Sequence, residues 1–322
     1  MDEFDFIDTI KQKSYNQPTL LKGIGDDGAV FQQTAKDIVT VVDTFVEGVH
    51  FTRKTIPPSL IGYRCLAANI SDIAAMGAKP AFYLVSIVIP NSWTHEEMVE
   101  IFGGMKKLAS KYHIDLIGGD TVSGSELTIS ITVIGYVQNG KSRYRSLAKP
   151  KDIVFVTGTL GDAQAGLYIL MNPGNYKSKE YFIKRHQQPS PRVEFAQGLT
   201  RIDRLVFNDI SDGIVSEARE ISQASKVDIM LHENKLPVSK YFKQFPIHLQ
   251  SEWKLYGGED FELLGTVARE DWPKVQQVAD RLQLQVTEIG EVLKPSQRGQ
   301  VYLKENNQIK LVNKSGYIHF RK

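Results

Sequence analysis

Apolar and polar positions recur with two different spacings along the first half of the chain, and each spacing predicts one kind of element. Residues 60–76 form a long, mostly apolar stretch that stops at Gly77, which predicts a helix. Thr94 and Glu97 have the spacing of a capping box and predict the start of a second helix, which runs to about residue 112. Alternating or β-branched runs predict strands at residues 38–42, 81–89 and 127–137. The first half is therefore predicted to run strand, helix, strand, helix, strand.

The second half follows a polar, basic connector, NGKSRYRSLAKPKD, and again mixes strands with helices. Apolar runs predict strands at residues 153–158, 205–210, 227–231 and 261–267. Helical spacing predicts helices at residues 161–171 and 271–282, and one that begins at about residue 215. We therefore predict an α/β (α+β) protein of two domains. Residues 1–148 would form a domain with a mixed sheet and helices, and residues 149–322 would form a second α/β domain.

Composition narrows the classes of function. The 322 residues are 42% hydrophobic and carry a net charge of +2, which allows a sizeable core and gives no charge excess that would favour nucleic acid or a membrane surface. Cys65 is the one cysteine, so no disulfide framework is possible, and no apolar run approaches the roughly 18 residues of a membrane span. These features predict a cytoplasmic protein without a nucleic-acid or membrane partner.

The stretch KGIGDDGAV, residues 22–30, contains the G-x-G-x-x-G spacing of dinucleotide-binding loops. Such a loop must follow a strand and open a helix, because the phosphates bind at the helix N-terminus. Here the preceding segment is polar and contains a proline, and the following segment predicts another strand. Asp26 and Asp27 would also repel a phosphate. Two interpretations remain, a surface turn and a metal-binding loop.

Acidic residues recur beside glycine, serine or apolar residues, where a solvated acid would be unusual. They are Asp27, Asp43, Asp72, Asp120, Asp209, Asp212, Glu259 and Asp260. Each alone could be a helix cap or a turn former. No lysine or arginine lies at pairing distance within these motifs, so local salt bridges would not neutralise them all, and burial of an unpaired carboxylate is costly. A bound cation would make that burial tolerable, and oxygen ligands select Mg²⁺ or Mn²⁺.

Hard cations that are held by carboxylates typically serve phosphate chemistry. One cysteine and seven scattered histidines do not give zinc-ligand spacing, and the Walker A and protein-kinase motifs are absent. Ser211 lacks a nucleophile elbow, so we interpret it as a hydroxyl donor or a turn residue. If the chain uses ATP, it belongs to neither common class of ATP enzyme.

Seven motifs follow one another along the chain: GIGDDGAV, VDTFVEGVHF, NISDIAAMGAKP, IGGDT, RHQQPSPR, DISDGI and YGGEDFEL. In this order they resemble the thiamine-monophosphate kinase family. The broader group also contains aminoimidazole ribonucleotide synthetase, selenophosphate synthetase and a hydrogenase maturation factor. The resemblance implies phosphorylation of thiamine monophosphate by ATP to thiamine diphosphate, with several Mg²⁺ ions. It also implies a homodimer in which the N-terminal sheets of two subunits pair.

The resemblance further implies a role for individual residues. The metal ligands would be Asp27, Asp43, Asp72, Asp120, Asp209 and Asp212, and the catalytic set would be Asp72, Asp120 and Asp212. The contacts to ATP would be Gly119, Asp120, Arg145 and Ser211, and those to thiamine monophosphate would be His50, Glu259 and Tyr317. Without the resemblance, His50 would be interpreted as a packed histidine, Arg145 as a solvated arginine and Tyr317 as cover for the core.

One departure from the family pattern concerns the residues before Asp43. Family members usually carry Ser or Thr there, whereas this chain has Val41 and Val42, so a hydroxyl ligand is impossible and one metal site is in question. The acceptor phosphate has a second pKa of about 6 and is mostly ionised at neutral pH, so no strong general base is needed and we expect direct in-line transfer. Two alternatives remain: a related ATP-dependent synthetase with another acceptor, and a nucleotide or metal sensor without turnover.

Overall fold

The computed structural model describes residues 9–10, 12, 14–22, 30–31, 36–295, 299–306, 308–314 and 316. The chain divides into two compact units, one made of Met1–Ile73 and Ala78–Ser142, the other of Ala74–Gly77 and Arg143–Lys322. From Arg143 onward the polar connector belongs to the second unit, whereas the sequence places the domain boundary at residues 148/149.

The described part of the first unit contains a two-stranded and a four-stranded β-structure together with helices. Its elements are β1 (Leu20–Lys22), β2 (Val30–Phe31), β3 (Lys36–Val46), α1 (Pro58–Ala75), β4 (Lys79–Ile89), α2 (His95–Tyr112), β5 (Asp115–Ser123) and β6 (Thr128–Gln138). β1 and β2 form an antiparallel pair on their own. The other four strands form a mixed sheet in the order β3–β6–β4–β5, in which β4 and β5 are parallel and the other pairs are antiparallel.

Helix α2 begins at the predicted capping box. The backbone N–H of Glu97 donates to Thr94 Oγ1 at 3.2 Å, and the Glu97 carboxylate accepts the Thr94 N–H at 2.8 Å. These two bonds satisfy N–H groups that have no partner within the helix. The helix ends at Tyr112, where His113 adopts the left-handed conformation with φ of 55°.

Strand β5 was not predicted from the sequence, because Gly118 and Gly119 interrupt its apolar pattern. A Cβ at Gly119 would lie 1.9 Å from the carbonyl oxygen of Val85 on β4, so the close approach of the two strands requires glycine there. Gly119 is also a predicted contact to ATP, and it is exposed.

The two faces of this sheet differ in exposure. One face is buried and apolar and includes Val39, Phe45, Ile129, Ile131 and Val133. The opposite face mixes apolar with polar side chains, and its apolar residues Ile38, Val42 and Val122 are 50%, 61% and 48% exposed. Exposed apolar side chains of this size make the second face a candidate contact surface.

Asp115, the first residue of β5, connects the sheet to the segment that precedes β1. Its buried carboxylate accepts hydrogen bonds from Gln12 Nε2 at 2.6 Å, from the Asn16 N–H at 2.8 Å and from the Gln17 N–H at 2.7 Å. The Leu116 N–H donates to Gln12 Oε1 at 2.8 Å. A buried carboxylate needs such donors, so these bonds fix residues 12–17 against the sheet.

The second unit is built on a seven-stranded sheet. Its strands are β7 (Ile153–Thr157), β8 (Leu205–Asp209), β9 (Asp228–His232), β10 (Leu263–Val267), β11 (Val286–Leu293), β12 (Val301–Glu305) and β13 (Gln308–Leu311), in the order β13–β12–β9–β11–β7–β10–β8. Among the described pairs, β9 and β12 are parallel and the others antiparallel. Every residue of β7, β8 and β10 is buried, which explains their uninterrupted apolar sequences.

The described residues of this unit form the α-helices α3 (Asp162–Met171), α4 (Lys179–Gln187), α5 (Val193–Gly198), α6 (Ile214–Ser225), α7 (Ile247–Tyr256) and α8 (Trp272–Arg281). The sequence predicts α3, α6 and α8 but not α4, α5 or α7. The expected α/β (α+β) class with two units is confirmed.

Candidate active site

Asp43 and Asp72 lie on neighbouring elements of the first unit, and Asn69 connects them. The backbone N–H of Asp43 on β3 donates to Asn69 Oδ1 at 3.0 Å. The fully buried amide of Asn69 in turn donates to the carbonyl of Cys65 at 3.0 Å. Asp72 follows Asn69 by three positions on α1, which puts the two on one helix face. Both carboxylates are half-buried, and the structure brings these two predicted ligands to the same side of the sheet.

Asp120 lies on β5 and is exposed. It is in register with Ser86 of β4, and that row continues through Ser130 of β6 to Thr44 of β3. The hydroxyl oxygens of Thr44 and Ser130 are 2.8 Å apart. Successive residues of a strand face opposite sides of the sheet, so this polar row and Asp43 lie on opposite faces. The structure therefore does not bring Asp120 together with Asp43.

His50 is held by the turn that follows β3. Its Nδ1 accepts the backbone N–H of Val46 at 3.0 Å, and its ring meets Phe45 edge to face with 5.5 Å between centroids. Because Nδ1 accepts a hydrogen bond, the neutral ring carries its hydrogen on Nε2. His50 is therefore arranged to donate through Nε2.

The same turn is fixed by an aromatic and ionic contact to the start of α2. The guanidinium of Arg53 lies over the ring of Trp93 at 3.8 Å, and its Nη1 donates to Glu97 Oε1 at 2.8 Å. Trp93 Nε1 donates to Glu47 Oε2 at 2.8 Å. Together these contacts tie both ends of the turn that carries His50 to one helix.

In the second unit, Arg145 is joined to the loop after β8 through two buried side chains. Arg145 Nε donates to Asn208 Oδ1 at 2.9 Å, and Asn208 Nδ2 donates to Glu217 Oε2 at 2.6 Å. Glu217 Oε1 accepts the backbone N–H of Asp212 at 3.0 Å. Burial raises the pKa of the Glu217 carboxyl well above its ordinary value, and the charge of Asp209 adds to the shift.

The loop at residues 209–212 also meets the turn that carries Glu259. Asp209 ends β8 and is buried, whereas Ser211 and Asp212 are half-buried. The carbonyl oxygen of Ser211 accepts the N–H of Glu259 at 2.8 Å. Glu259 has a φ of 69°, which a non-glycine residue adopts at a cost, so the backbone of this turn is held by its surroundings. The structure thus brings Ser211, Asp212 and Glu259 together, as three predicted site residues.

The YGGEDFEL motif contains two further acids whose partners are remote in sequence. Glu262 accepts hydrogen bonds from Thr157 Oγ1 at 2.6 Å, Arg185 Nη2 at 2.8 Å and Arg192 Nε at 2.6 Å. Burial opposes its charge, but Arg192 and Arg185 outweigh burial, so the pKa of Glu262 lies below its ordinary value. Sequence reasoning missed this pairing, because the acid and the two arginines of RHQQPSPR stand in different motifs.

Asp260 binds the first turn of α3. Its carboxylate accepts the N–H of Gly161 at 2.6 Å and that of Ala163 at 3.0 Å, and it is 1% exposed. Burial raises the pKa of Asp260 to about 7, while Arg185 acts in the opposite direction. The helix-cap interpretation therefore applies to Asp260, and cation binding does not.

Asp162, the first residue of α3, completes a buried acid network with Asp260 and Glu262. It is fully buried and accepts hydrogen bonds from Thr159 Oγ1 at 2.5 Å, Tyr181 Oη at 2.7 Å and Ser239 Oγ at 2.7 Å. We use the name buried acid network for these three acids, Asp162, Asp260 and Glu262.

Two predicted site residues, Asp27 and Tyr317, lie outside the described residues. The described segment after residues 23–29 is the strand β2, as expected, and not the helix of a dinucleotide fold. Gly316 is described, and its N–H donates to Ser216 Oγ at 2.8 Å. A Cβ at Gly316 would lie 1.7 Å from the carbonyl oxygen of Asp212, so the chain passes directly beside Asp212 just before Tyr317.

The donor chemistry of the predicted ligands suits a hard cation, since all are carboxylates. Among the residues that the structure describes, no three His, Cys, Asp or Glu side chains are grouped so that they could hold a metal ion. Within the first unit, Asp43 and Asp72 lie on one side of the sheet and Asp120 on the other. Within the second unit, Asp209 ends β8 three residues before Asp212.

None of the described helices combines the length and the apolar character that a bilayer span requires.

Comparison with known proteins gives relatives along the entire chain. The family model "AIR synthase related protein, N-terminal domain" matches residues 25–137. The thiamine-monophosphate kinase of Bacillus subtilis (strain 168) is 45% identical over 329 residues and covers 100% of both chains.

Solved structures agree. The crystal structure of thiamine-monophosphate kinase from Stenotrophomonas maltophilia K279a has a TM-score of 0.83 at 32% identity and covers 94% of this chain and 96% of that one. AaThiL complexed with AMPPCP and TMP has a TM-score of 0.78 at 31% identity and covers 99% of this chain and 97% of that one. The likeness therefore extends to both units.

Proposed function

The chain belongs to the thiamine-monophosphate kinase family, and from that premise we propose that it transfers the γ-phosphoryl group of ATP directly to thiamine monophosphate, giving ADP and thiamine diphosphate. The observation that carries the proposal is the 45% identity to the Bacillus subtilis kinase over the whole chain. AMPPCP and TMP in the AaThiL complex support ATP as the donor and thiamine monophosphate as the acceptor.

For the donor, we propose that Gly119, Asp120, Arg145 and Ser211 contact ATP. The planar guanidinium of Arg145 can give two parallel hydrogen bonds to phosphate oxygens. Gly119 is exposed on β5, the last strand in its sheet's order, so its backbone is accessible to a ligand.

For the acceptor, we propose contacts from His50, Glu259 and Tyr317. His50 would donate its Nε2 hydrogen, because Nδ1 already accepts from Val46. Glu259 offers an acceptor for the amino group or the cationic ring of thiamine. The acceptor phosphate is already mostly ionised at neutral pH, with a second pKa of about 6, so the protein needs to orient it rather than to deprotonate it.

Several Mg²⁺ ions are part of this proposal, with Asp27, Asp43, Asp72, Asp120, Asp209 and Asp212 as their ligands and Asp72, Asp120 and Asp212 as the catalytic set. When bound, Mg²⁺ would reduce the repulsion between the two phosphate groups. The separation of Asp43 and Asp72 from Asp120 supports more than one ion. Val41 and Val42 offer no hydroxyl, so an ion beside Asp43 would have to take a backbone carbonyl there.

The activity is tested by incubating the protein with ATP, Mg²⁺ and thiamine monophosphate, and by measuring thiamine diphosphate. A panel of other acceptors at fixed Mg-ATP separates this kinase from a related synthetase. Product from another acceptor alone would contradict the proposal, and so would ATP binding without turnover on any acceptor.

Direct transfer has its own test. We expect no radiolabel to stay on the protein after incubation with γ-labelled ATP without acceptor. Stable labelling of the protein would show a phospho-enzyme and rule out direct in-line transfer.

We also propose a homodimer in which a second copy covers the exposed apolar face of the first-unit sheet. Ile38, Val42 and Val122 are about half exposed or more on that face, and burial of apolar surface drives such association. A cytoplasmic location is likewise our proposal, in keeping with a sequence that has Cys65 as its one cysteine.

The dimer is tested by light scattering after size exclusion. Val42→Asp should shift the mass from dimer to monomer, since a charge would be buried in the interface. Ile309→Asp is the matched control, because Ile309 is 57% exposed on a strand of the second unit. A monomeric unaltered protein, or equal effects of the two variants, would contradict the proposal.

A further inference from the structure

We propose that Asn208 and Glu217 are positioning residues that orient Arg145 for ATP through a hydrogen-bond relay of fixed direction. The inference rests on the proposed function, in which Arg145 contacts ATP. It assigns a role to two side chains that do not themselves reach a substrate.

The direction of the relay follows from which groups can donate. Arg145 Nε can only donate, so it requires the oxygen of the Asn208 amide, at 2.9 Å. The amide nitrogen of Asn208 then faces Glu217 Oε2 at 2.6 Å, and a carboxylate oxygen accepts it. The other oxygen, Glu217 Oε1, accepts the Asp212 N–H at 3.0 Å. Glu217 therefore decides which way the amide of Asn208 points, and the amide decides what Arg145 meets.

The relay is buried at its Asn208–Glu217 end and accessible to solvent at its Arg145 end. Asn208 and Glu217 are 1% and 2% exposed, whereas the Arg145 side chain is 50% exposed. A half-exposed arginine loses considerable rotamer freedom when it is held, so an anchor in the core spares that loss when ATP binds.

Contacts at both ends of α6 and its neighbours support the same arrangement. The carbonyl oxygen of Arg145 accepts Ser225 Oγ at 2.6 Å, so the backbone of Arg145 is tied to the end of α6. Glu220 also pairs with the Arg145 guanidinium at 3.1 Å and accepts from Asn208 Nδ2 at 3.0 Å. Since Glu220 is 46% exposed, it can turn to water, and Asn208 is the buried partner that fixes Arg145.

A simpler role for Glu217 is to cap the start of α6 through the Asp212 N–H. Glu217→Gln separates the two roles. Glutamine keeps an oxygen for the Asp212 N–H, so the cap survives. Its amide nitrogen, however, would face the amide nitrogen of Asn208, and a flip of Asn208 to relieve that contact would turn its nitrogen toward Arg145.

The experiment measures kcat and KM for ATP together with ATP affinity by calorimetry. Loss of a hydrogen bond to a charged group corresponds to a change of about tenfold in a dissociation constant. We therefore expect Glu217→Gln to raise KM and Kd for ATP about tenfold. The KM for thiamine monophosphate should stay nearly unchanged. Glu252→Gln, on an exposed glutamate of α7, is the matched control and should leave all constants unaltered.

Two combinations make the test specific. In an Arg145→Ala background, Glu217→Gln should have little further effect on ATP, because its effect passes through Arg145. The exchange Asn208→Asp with Glu217→Gln restores a donor–acceptor match at every bond of the relay, so it should recover most of the ATP affinity. Recovery should be incomplete, because the carboxylate that this exchange introduces would face the carboxylate of Glu220.

Three results would overturn the relay: unchanged ATP constants in Glu217→Gln, equal effects with and without Arg145, or a double exchange no better than the single variants. If thermal unfolding shows that Glu217→Gln does not fold, Asn208→Ala, which leaves the Asp212–Glu217 bond in place, is measured with the same expectation. A lack of thiamine diphosphate from the unaltered protein would overturn the proposed function instead. ATP calorimetry would still decide the relay.

Discussion

Two groups of acids in this molecule have similar sequence surroundings and opposite environments. The first-unit acids, Asp43, Asp72 and Asp120, are half-buried or exposed. The buried acid network of the second unit lies out of water and is bound by arginines, hydroxyls and helix N–H groups. An acid among glycines and apolar residues is therefore not by itself a ligand. The difference lies in how deeply the fold buries each acid.

The largest expected effect concerns activity of the first-unit acids. Asp120→Asn and Asp72→Asn should each lower kcat/KM for thiamine diphosphate formation by about a thousandfold or more, since a metal ligand supplies several kcal/mol of transition-state stabilisation. The measurement is steady-state kinetics at saturating Mg²⁺. The Asp120 variant should unfold like the parent in denaturant, because the side chain is exposed. Full activity in both variants would refute the site assignment.

The next effect concerns stability of the buried acid network. Glu262→Gln should lower the free energy of unfolding by about 3–5 kcal/mol, because Arg185 and Arg192 would remain buried without their counter-charge. Urea unfolding at neutral pH measures it. A loss below about 1 kcal/mol would mean that the arginines find other partners.

A third effect concerns the pH dependence of stability through Asp260. Its pKa is about 7 in the folded protein against an ordinary 3.8, so between these values the folded protein keeps a proton that the unfolded chain releases. This stabilisation of the folded protein is fully present below pH 3.8 and is lost as the pH rises through about 7. The free energy of unfolding should fall with a slope of up to about 1.4 kcal/mol per pH unit. Asp260→Asn should remove this contribution, which unfolding curves from about pH 4.5 to about pH 7.5 would measure. An identical slope in both proteins would count against it.

The smallest expected effect on the free energy of unfolding comes from the same kind of substitution, glutamate to glutamine, at a surface position. Glu252 pairs with Lys314 at 2.5 Å, but both side chains are about half exposed. Glu252→Gln should change the free energy of unfolding by about 0.5 kcal/mol or less, because water screens exposed pairs. Urea unfolding of both variants, Glu252→Gln and Glu262→Gln, measures this contrast. Similar losses of unfolding free energy in the two would contradict the conclusion that burial decides the effect.

Local patterns predicted much of the fold. The capping box at Thr94 and Glu97 gave the start of α2, and the apolar run before Gly77 gave α1 to within two residues at each end. Strand β5 was not predicted because Gly118 and Gly119 interrupt its apolar pattern, and Gly119 is required there for the close approach to β4. Helix α4, KEYFIKRHQ, was not predicted because only Phe182 and His186 are buried in it, which leaves no clear apolar face.

The family resemblance names candidate site residues but not the hydrogen bonds between them. It implies roles for Arg145, Asp212 and Glu259, yet nothing in the sequence indicates that Asn208 and Glu217 connect Arg145 to Asp212. Asp260 and Glu262 look like Asp120 in sequence, since all three follow a glycine pair closely. Asp260 and Glu262 differ from Asp120 because they contact the start of α3, Arg185 and Arg192, which come near them only in the folded chain. Contacts between residues that are remote in sequence produce no local periodicity from which they could be predicted.

The hydrogen bonds to Asp115 bear on how the N-terminus can be altered. A shortened chain that begins after Gln17 would lose the donors of Gln12, Asn16 and Gln17, and the buried carboxylate of Asp115 would lack them. Such a truncation would act on the inside of the sheet although it removes residues near the chain end. Fusion tags belong before residue 12, where these bonds are left intact, and the segment up to β1 should be treated as a structural part of the first unit.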